Sequence, residues 1–239
     1  MDATTGFEPA RHGFHFTNRF SGKDVVDELV EQRRLDELVG VDLPDKLEDL
    51  VGRVRDADFW GPFGLCGGMS WASLDRFSQG EEIPPHRKVP ERSTDLFNEL
   101  VRRQADSMQR SRMLTTCVQR QLLPTKREWW RPWRQTLGRI TELNEWPKAR
   151  ASIDNGVPAT LCLIRVHGFG DPSKHHQVLA IGYSVDGSQR LAIKLYDPNH
   201  PDEEPEISAR LGTKSHDFDL AQSSGESLFG FFVASYQPA

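Results

Sequence analysis

The first half of the chain carries apolar residues at helical spacing. They recur every three or four positions from Asp24 to Val39, and again from Asp45 to Arg55. This spacing gathers the apolar side chains on one face and predicts two amphipathic helices. A longer helix is predicted to begin after Ser93 or Thr94, either of which can cap it, and to run to about Leu123, where a proline follows.

A glycine-rich stretch, Phe59 to Gly64, interrupts the helical pattern and predicts a loop. Cys66 follows directly, with two glycines after it. Apolar residues from Met69 to Phe77 then lie on several faces, which predicts a buried helix that ends near Gly80. The pattern therefore places Cys66 at the N-terminus of a buried helix.

The second half changes to short apolar runs, which are typical of β-strands. An Asp186-Gly187 pair between two of these runs predicts a tight hairpin. Helices first and antiparallel strands second indicate an α+β fold. The predicted strands are Ala159 to Val166, His176 to Tyr183, Leu191 to Tyr196 and Phe229 to Tyr236.

The length of 239 residues suits a single domain. Within residues 1–239 we predict an N-terminal helical segment (1–58), a helical lobe with the Cys66 helix (59–154) and a β-sheet lobe (155–239). The net charge of −5 gives no attraction to nucleic acid or to anionic membranes. The polar N-terminus does not resemble a signal peptide, and no apolar run is long enough to cross a bilayer. We therefore expect no nucleic-acid or membrane partner, and a cytoplasmic protein or one exported without a classical signal peptide.

The three cysteines, Cys66, Cys117 and Cys162, are widely spaced and form no disulfide or zinc pattern. Cys117 and Cys162 lie within apolar stretches and are interpreted as core residues. Cys66 differs, because free N–H groups at a helix N-terminus stabilise a thiolate and can bind an oxyanion. The alternative is that Cys66 is a small buried apolar residue beside a glycine turn.

A nucleophilic cysteine needs a base, and histidine is the usual one. His176 begins one predicted hairpin strand and Asp197 ends the next, so hairpin geometry brings them close. Asp197, or Asn199 two residues on, can orient the imidazole. Adjacent strand residues point to opposite faces, so only one of His175 and His176 can be the base, and we select His176 because it adjoins the apolar run. The alternative is an exposed strand-end histidine next to an ordinary turn.

Four segments in this order resemble the papain-like cysteine peptidase superfamily, in particular its bacterial papain-fold branch. The resemblance implies a helical lobe, with the nucleophile on its central helix, facing an antiparallel sheet lobe that carries the histidine and the aspartate. Substrate is expected to bind in the cleft between them. The four segments are Gly64 to Met69, Ile153 to Ala159, His176 to Tyr183 and Leu195 to Asn199.

The chain departs from the papain-like pattern at one position. Papain-like enzymes usually carry a glutamine a few residues before the cysteine, where it donates to the oxyanion, and the residues from Phe59 to Leu65 include none. The main-chain N–H of Cys66, or the side chain of Asn18, is the candidate donor. Alternatively, the chemistry has been lost and the chain is a binding protein on this fold.

These observations predict a cysteine hydrolase, either a peptidase or an amidase, that acts on a peptide or protein substrate without a cofactor. The chain could serve as an effector or toxin domain. A metal site built from His175 or His176, Asp197 and His200 is the less favoured interpretation, because no helix carries a histidine pair. The basic, tryptophan-rich stretch from Lys126 to Arg134 could bind nucleobases or a membrane surface, but we expect its tryptophans to pack against the core.

Overall fold

A computed structural model describes residues 1–32, 62–110, 113–126, 130, 134–212 and 218–239. The helices are α1 (Pro9–His12), α2 (Gly22–Glu31), α3 (Cys66–Ser78), α4 (Asp95–Arg110), α5 (Met113–Gln121), α6 (Leu137–Ile140) and α7 (Trp146–Asp154). The strands are β1 (Asp2–Thr4), β2 (Phe20–Ser21), β3 (Pro62–Phe63), β4 (Ala159–Ile164), β5 (His176–Val185), β6 (Arg190–Tyr196), β7 (Glu206–Arg210), β8 (Ala221–Gln222) and β9 (Gly230–Val233). A π-helical turn (Thr141–Glu145) joins α6 to α7, and a 3-10 turn (Pro172–Lys174) precedes β5.

Most of the strands form one antiparallel sheet in the order β8-β7-β6-β5-β4-β9, with β1 paired to β5. The hairpin predicted at Asp186-Gly187 is present, because β5 and β6 pair directly across that turn. Most of the helices therefore precede an antiparallel sheet, and the predicted α+β fold class is confirmed. The pattern of apolar runs does not predict β1, β2, β3, β7 or β8, each of which is at most five residues long, and β3 lies within the stretch predicted as a loop.

Helices cover both faces of the sheet. Leu161 and Leu163 of β4 pack in one cluster with the α7 residues Trp146 and Ile153. Cys162, which alternates with them along the strand, packs instead with residues of α5. On the same side as α5, Leu74 of α3 contacts Leu179 and Ile181 of β5. The sheet is thus enclosed between α7 on one face and the helices α3 and α5 on the other.

The helical half has its own core, formed where α2, α3 and α4 meet. Val25 and Leu29 of α2 are fully buried there, as the helical spacing predicts, although Val30 is more than half exposed. Thr94 caps α4 by accepting the N–H of Phe97 at 3.3 Å. The long helix predicted from this cap to Leu123 is described as α4 and α5, on either side of residues 111–112.

Some predictions lie outside the described residues. These are the helix from Asp45 to Arg55, the end of the first helix beyond position 32, the first three residues of the Phe59 to Gly64 loop, and most of the tryptophan-rich stretch. Among the described residues, no helix is long and apolar enough to cross a membrane.

Candidate active site

Cys66 is the first residue of α3, as the glycine-rich loop before it predicts. Cys66 is partly exposed, whereas the next nine residues of the helix, Gly67 to Asp75, are buried. Gly68 allows α3 to approach α4 closely, since a Cβ at this position would lie 2.2 Å from the carbonyl oxygen of Leu100. The Gly68 N–H donates to Gln104 Oε1 at 2.9 Å. Close packing therefore fixes the start of the helix that carries the thiol.

Gly67 lies beneath two polar side chains from other elements. A Cβ at Gly67 would meet Ser107 Oγ at 2.3 Å and Gln177 Nε2 at 2.5 Å. Gln177 Nε2 donates to Ser107 Oγ, and the backbone N–H of Gln177 points to Cys66 Sγ at 3.4 Å. A larger residue at position 67 would therefore displace the side chains of Ser107 and Gln177 and break the hydrogen bond between them.

His176 begins β5 and reaches both of its expected partners. Its Nε2 lies 2.5 Å from Oδ1 of Asp197, which directly follows β6, and both side chains are buried. The interaction between His176 and Cys66 shifts the pKa of both groups. Because Nε2 contacts Asp197, Nδ1 is the nitrogen left for the thiol. The structure therefore brings Cys66, His176 and Asp197 into one row.

The electrostatics of this row favour a charged pair. Burial raises the pKa of the Cys66 thiol, but the hydrogen bond and charge of His176, with the N–H groups of Gln177 and Gly67, outweigh burial and lower it. Burial lowers the pKa of His176, but the charge and hydrogen bond of Asp197, with smaller contributions from Cys66, raise it to about 9. A lowered thiol pKa next to a raised imidazole pKa is the condition for a thiolate–imidazolium pair.

Three hydrogen bonds and one ion pair hold the Asp197 carboxylate. Oδ1 accepts from His176 and from the backbone N–H of Asn199 at 2.8 Å. Oδ2 accepts from Gln222 Nε2 at 3.3 Å and lies 3.6 Å from Arg165 Nη2. Burial raises the pKa of Asp197, but these partners, His176 first, lower it to about 2. Asp197 is therefore ionised at neutral pH and available to support a charged imidazole.

The two asparagines singled out in the sequence lie together beside this row. Asn18 Oδ1 accepts the N–H of Leu65, the residue before Cys66, at 2.6 Å, and its Nδ2 donates to Asn199 Oδ1 at 3.0 Å. Asn199 itself does not contact His176 through its side chain in the described contacts, so Asp197 occupies the orienting position. The amide of Asn18 lies against Gly64, where a Cβ would be 2.6 Å from Nδ2.

His175 faces away from the thiol, as strand alternation predicts. Its Nε2 lies 2.7 Å from Gln121 Oε1, and its Nδ1 accepts the Arg165 N–H at 3.3 Å. Burial lowers the pKa of His175 to about 4, so this imidazole is neutral at physiological pH. Gln121 also donates to the carbonyls of Gly168 and Gly170. His175 thus helps to anchor the loop that leads into His176.

The remaining candidates do not join the site. His200 contacts Glu226 at 3.1 Å, and the described residues contain no group of three or more metal ligands. Trp130, the one described tryptophan between Lys126 and Arg134, is 60% exposed, contrary to the expectation that these tryptophans pack against the core.

Sequence reasoning missed three residues that contact the row. Gln177 donates its main-chain N–H to the thiol, while Gln222 and Arg165 support Asp197. Gln177 follows the histidine and could have been considered from its position alone. No sequence pattern points to Gln222 or Arg165, which reach Asp197 only because β4 and β8 belong to the same sheet.

Comparison of the chain with family models, with curated protein sequences and with solved structures gives no match. Any function proposed for the chain therefore depends on the geometry of Cys66, His176 and Asp197.

Proposed function

We propose that this protein is a cysteine hydrolase of the papain-like type, a peptidase or amidase that acts on a peptide or protein substrate. The proposal is carried by one observation. A partly exposed thiol at a helix N-terminus lies next to His176, and Nε2 of His176 lies 2.5 Å from the buried carboxylate of Asp197. A row of thiol, imidazole and carboxylate is the arrangement by which a cysteine is activated for acyl transfer.

Cys66 is the proposed nucleophile. Its thiolate attacks the acyl carbon of the substrate while His176, as imidazolium, stands ready to protonate the leaving amine. A water molecule then attacks the acyl-enzyme, with His176 taking its proton, and the acid product leaves as the thiolate is restored. Asp197 keeps the ring in one orientation and supports its positive charge through the contact to Nε2.

The oxyanion formed in each step needs hydrogen-bond donors. We propose the backbone N–H of Cys66 as one donor, because it lies at the free N-terminus of α3. Asn18 is the proposed side-chain donor. Its amide lies against Gly64 and Leu65, just before the nucleophile, and only one of its two Nδ2 hydrogens is directed to Asn199. This amide would take the place of the glutamine that papain-like enzymes usually carry.

The arrangement of the elements agrees with a papain-like fold. The nucleophile lies on a helix with nine consecutive buried residues, Gly67 to Asp75. The histidine begins one strand of an antiparallel hairpin and the aspartate directly follows the other, and both strands pack against that helix. An effector or toxin role would use the same chemistry, with the identity of the substrate set by the walls of the cleft.

The proposal is tested by the pH dependence of iodoacetamide labelling, with the labelled cysteine identified by mass spectrometry. We expect selective labelling of Cys66 with an apparent pKa well below about 8.5, the value of an ordinary thiol. His176→Ala should return that pKa to the ordinary range and slow labelling at pH 7 by roughly three- to tenfold, because the thiolate fraction falls. His86→Gln is the control, because this histidine is exposed and has no described side-chain contact to the row, and it should leave the labelling profile unchanged.

A second step tests turnover. A panel of peptide and amide substrates should be cleaved by the wild type and not by Cys66→Ala. If Cys66 labels slowly with an ordinary pKa in both the wild type and His176→Ala, the hydrolase proposal is wrong. The alternative interpretation, a binding protein on this fold, would then be favoured.

A further inference from the structure

The two cysteines outside the candidate site lie in contact with each other. Cys117 on α5 and Cys162 on β4 are separated by 3.3 Å between their sulfur atoms, and both are free thiols. Their side chains are almost completely buried, at 4% and 1% exposure. In sequence they are 45 residues apart, so the fold alone brings them together.

We propose that Cys117 and Cys162 form a disulfide bond that joins α5 to the sheet when the protein folds under oxidising conditions. A disulfide requires a sulfur–sulfur distance of about 2.05 Å, so the two atoms need to approach by little more than 1 Å. Small rotations of the two side chains supply a movement of this size. The proposal does not depend on the chemistry of Cys66.

The third cysteine is not a competing partner in the folded protein. Cys66 lies on the same side of the sheet, where its thiol accepts the backbone N–H of Gln177, but Cys162 makes its described sulfur–sulfur contact with Cys117 and not with Cys66. The fold therefore divides the odd number of cysteines into one partly exposed thiol and one buried pair.

Bond formation is a thiol–disulfide exchange with a low-molecular-weight disulfide such as oxidised glutathione. The Cys117 thiolate attacks one sulfur of that disulfide and releases the first thiol. Cys162 then attacks the Cys117 sulfur of the mixed disulfide and releases the second. Two protein thiols are oxidised to one disulfide and the low-molecular-weight disulfide is reduced to two thiols, which take up the two protons that the protein thiols lose. Burial raises the pKa of Cys162, so we expect exchange during folding rather than in the folded state.

The bond would also strengthen the support of the candidate site. Cys117 and Gln121 are four residues apart and lie on one face of α5. Gln121 binds His175 and the carbonyls of Gly168 and Gly170, in the loop that leads directly into His176. A covalent link at Cys117 fixes the helix that holds this loop.

The test uses Cys66→Ser, which leaves only the proposed pair. The variant is unfolded, reduced and refolded either in a mixture of reduced and oxidised glutathione or in dithiothreitol. Remaining thiols are then alkylated under denaturing conditions and mapped by mass spectrometry without reduction. We expect a linked Cys117–Cys162 peptide and no alkylated cysteine after the glutathione refolding, and two alkylated cysteines after the dithiothreitol refolding.

The oxidised form should also melt about 5–15 °C higher than the reduced form, because the bond closes a loop of 45 residues. Cys66→Ser combined with Cys117→Ala is the control, and its melting temperature should be the same in both buffers. Two free thiols after the glutathione refolding, glutathione adducts without the linked peptide, or a linked form that melts no higher than the reduced form would each overturn the proposal. Because Cys66 is absent, these outcomes leave the hydrolase proposal untouched.

Discussion

Asn18 Nδ2 donates to Asn199 Oδ1 at 3.0 Å, although 181 residues separate the two asparagines. Through its Oδ1, the same Asn18 side chain accepts the N–H of Leu65, the residue before the candidate nucleophile. One amide therefore joins the start of α3 to the turn that carries Asp197. The two sides of the candidate site are held in register by this contact as well as by the packing of α3 on β5.

We expect Asn18→Ala to destabilise the folded protein. The Leu65 N–H would be left buried without an acceptor, which costs roughly 1–3 kcal/mol of unfolding free energy. Urea unfolding measures the loss. Asn199→Ala is the matched variant, since it removes the link between the asparagines but leaves the Leu65 N–H bonded. Its cost should be at most about 1 kcal/mol, and equal losses for the two variants would contradict this account.

Gln222→Leu tests the support of Asp197. The substitution keeps the approximate volume but removes the 3.3 Å hydrogen bond to Oδ2 of Asp197. Without this bond the Asp197 carboxylate is held less firmly against Nε2 of His176 and stabilises the imidazolium less. The apparent pKa of Cys66 in alkylation should therefore rise by up to about one unit. Gln32→Leu, which loses amide contacts on α2 instead, should leave that pKa unchanged. An unchanged profile in Gln222→Leu would show that Gln222 is purely structural.

Asp197 should contribute to stability above acidic pH. Its folded pKa of about 2 is below the ordinary value of 3.8, so its stabilisation is complete above pH 3.8 and is lost as the pH falls through about 2. The difference corresponds to roughly 2 kcal/mol. Asp197→Asn cannot ionise, so its unfolding free energy should fall less steeply between pH 4 and 2 than that of the wild type.

The control for this acid titration is Asp95→Asn, at an exposed carboxylate in the first turn of α4. Its stability curve should keep the slope of the wild type. Asp197→Asn should also slow the labelling of Cys66 at neutral pH, because the charge that raises the pKa of His176 to about 9 is gone. A steep acid transition that persists in Asp197→Asn would exclude this carboxylate as its source.

Gly68→Ala tests the close approach of α3 and α4. The added methyl group would lie 2.2 Å from the carbonyl oxygen of Leu100, a backbone atom that cannot move without displacing α4. We expect a loss of roughly 1–3 kcal/mol or more in unfolding free energy, well beyond the small gain in helix propensity. Gly187→Ala, in the β5–β6 hairpin, meets no described atom within 4 Å and should change stability by about 0.5 kcal/mol at most.

Local chain features were sufficient to predict the central part of the candidate site. The glycine-rich loop followed by an apolar segment placed Cys66 at a helix start, and the Asp186-Gly187 turn predicted the hairpin that brings His176 to Asp197. Both predictions involve residues close in sequence. Their geometry follows from helix termini and from strand pairing across a short turn.

Contacts between distant segments could not be predicted in this way. Gln222 and Arg165 are polar residues in short or irregular stretches, and they become partners of Asp197 only when β8 and β4 join the sheet. Nor does the spacing of Cys117 and Cys162 indicate that their sulfur atoms lie 3.3 Å apart.

The sequence by itself determined the α+β class, the helix that begins at Cys66 and the hairpin between His176 and Asp197, because periodicity and turn residues act over a few positions. Only the tertiary structure decided that Asn18 spans both sides of the site, that His175 supports a loop, and that Asp197 is held by three hydrogen bonds and an ion pair with Arg165. A buried polar group takes whichever partner the packing brings within hydrogen-bond distance, and that choice leaves no periodic pattern along the chain.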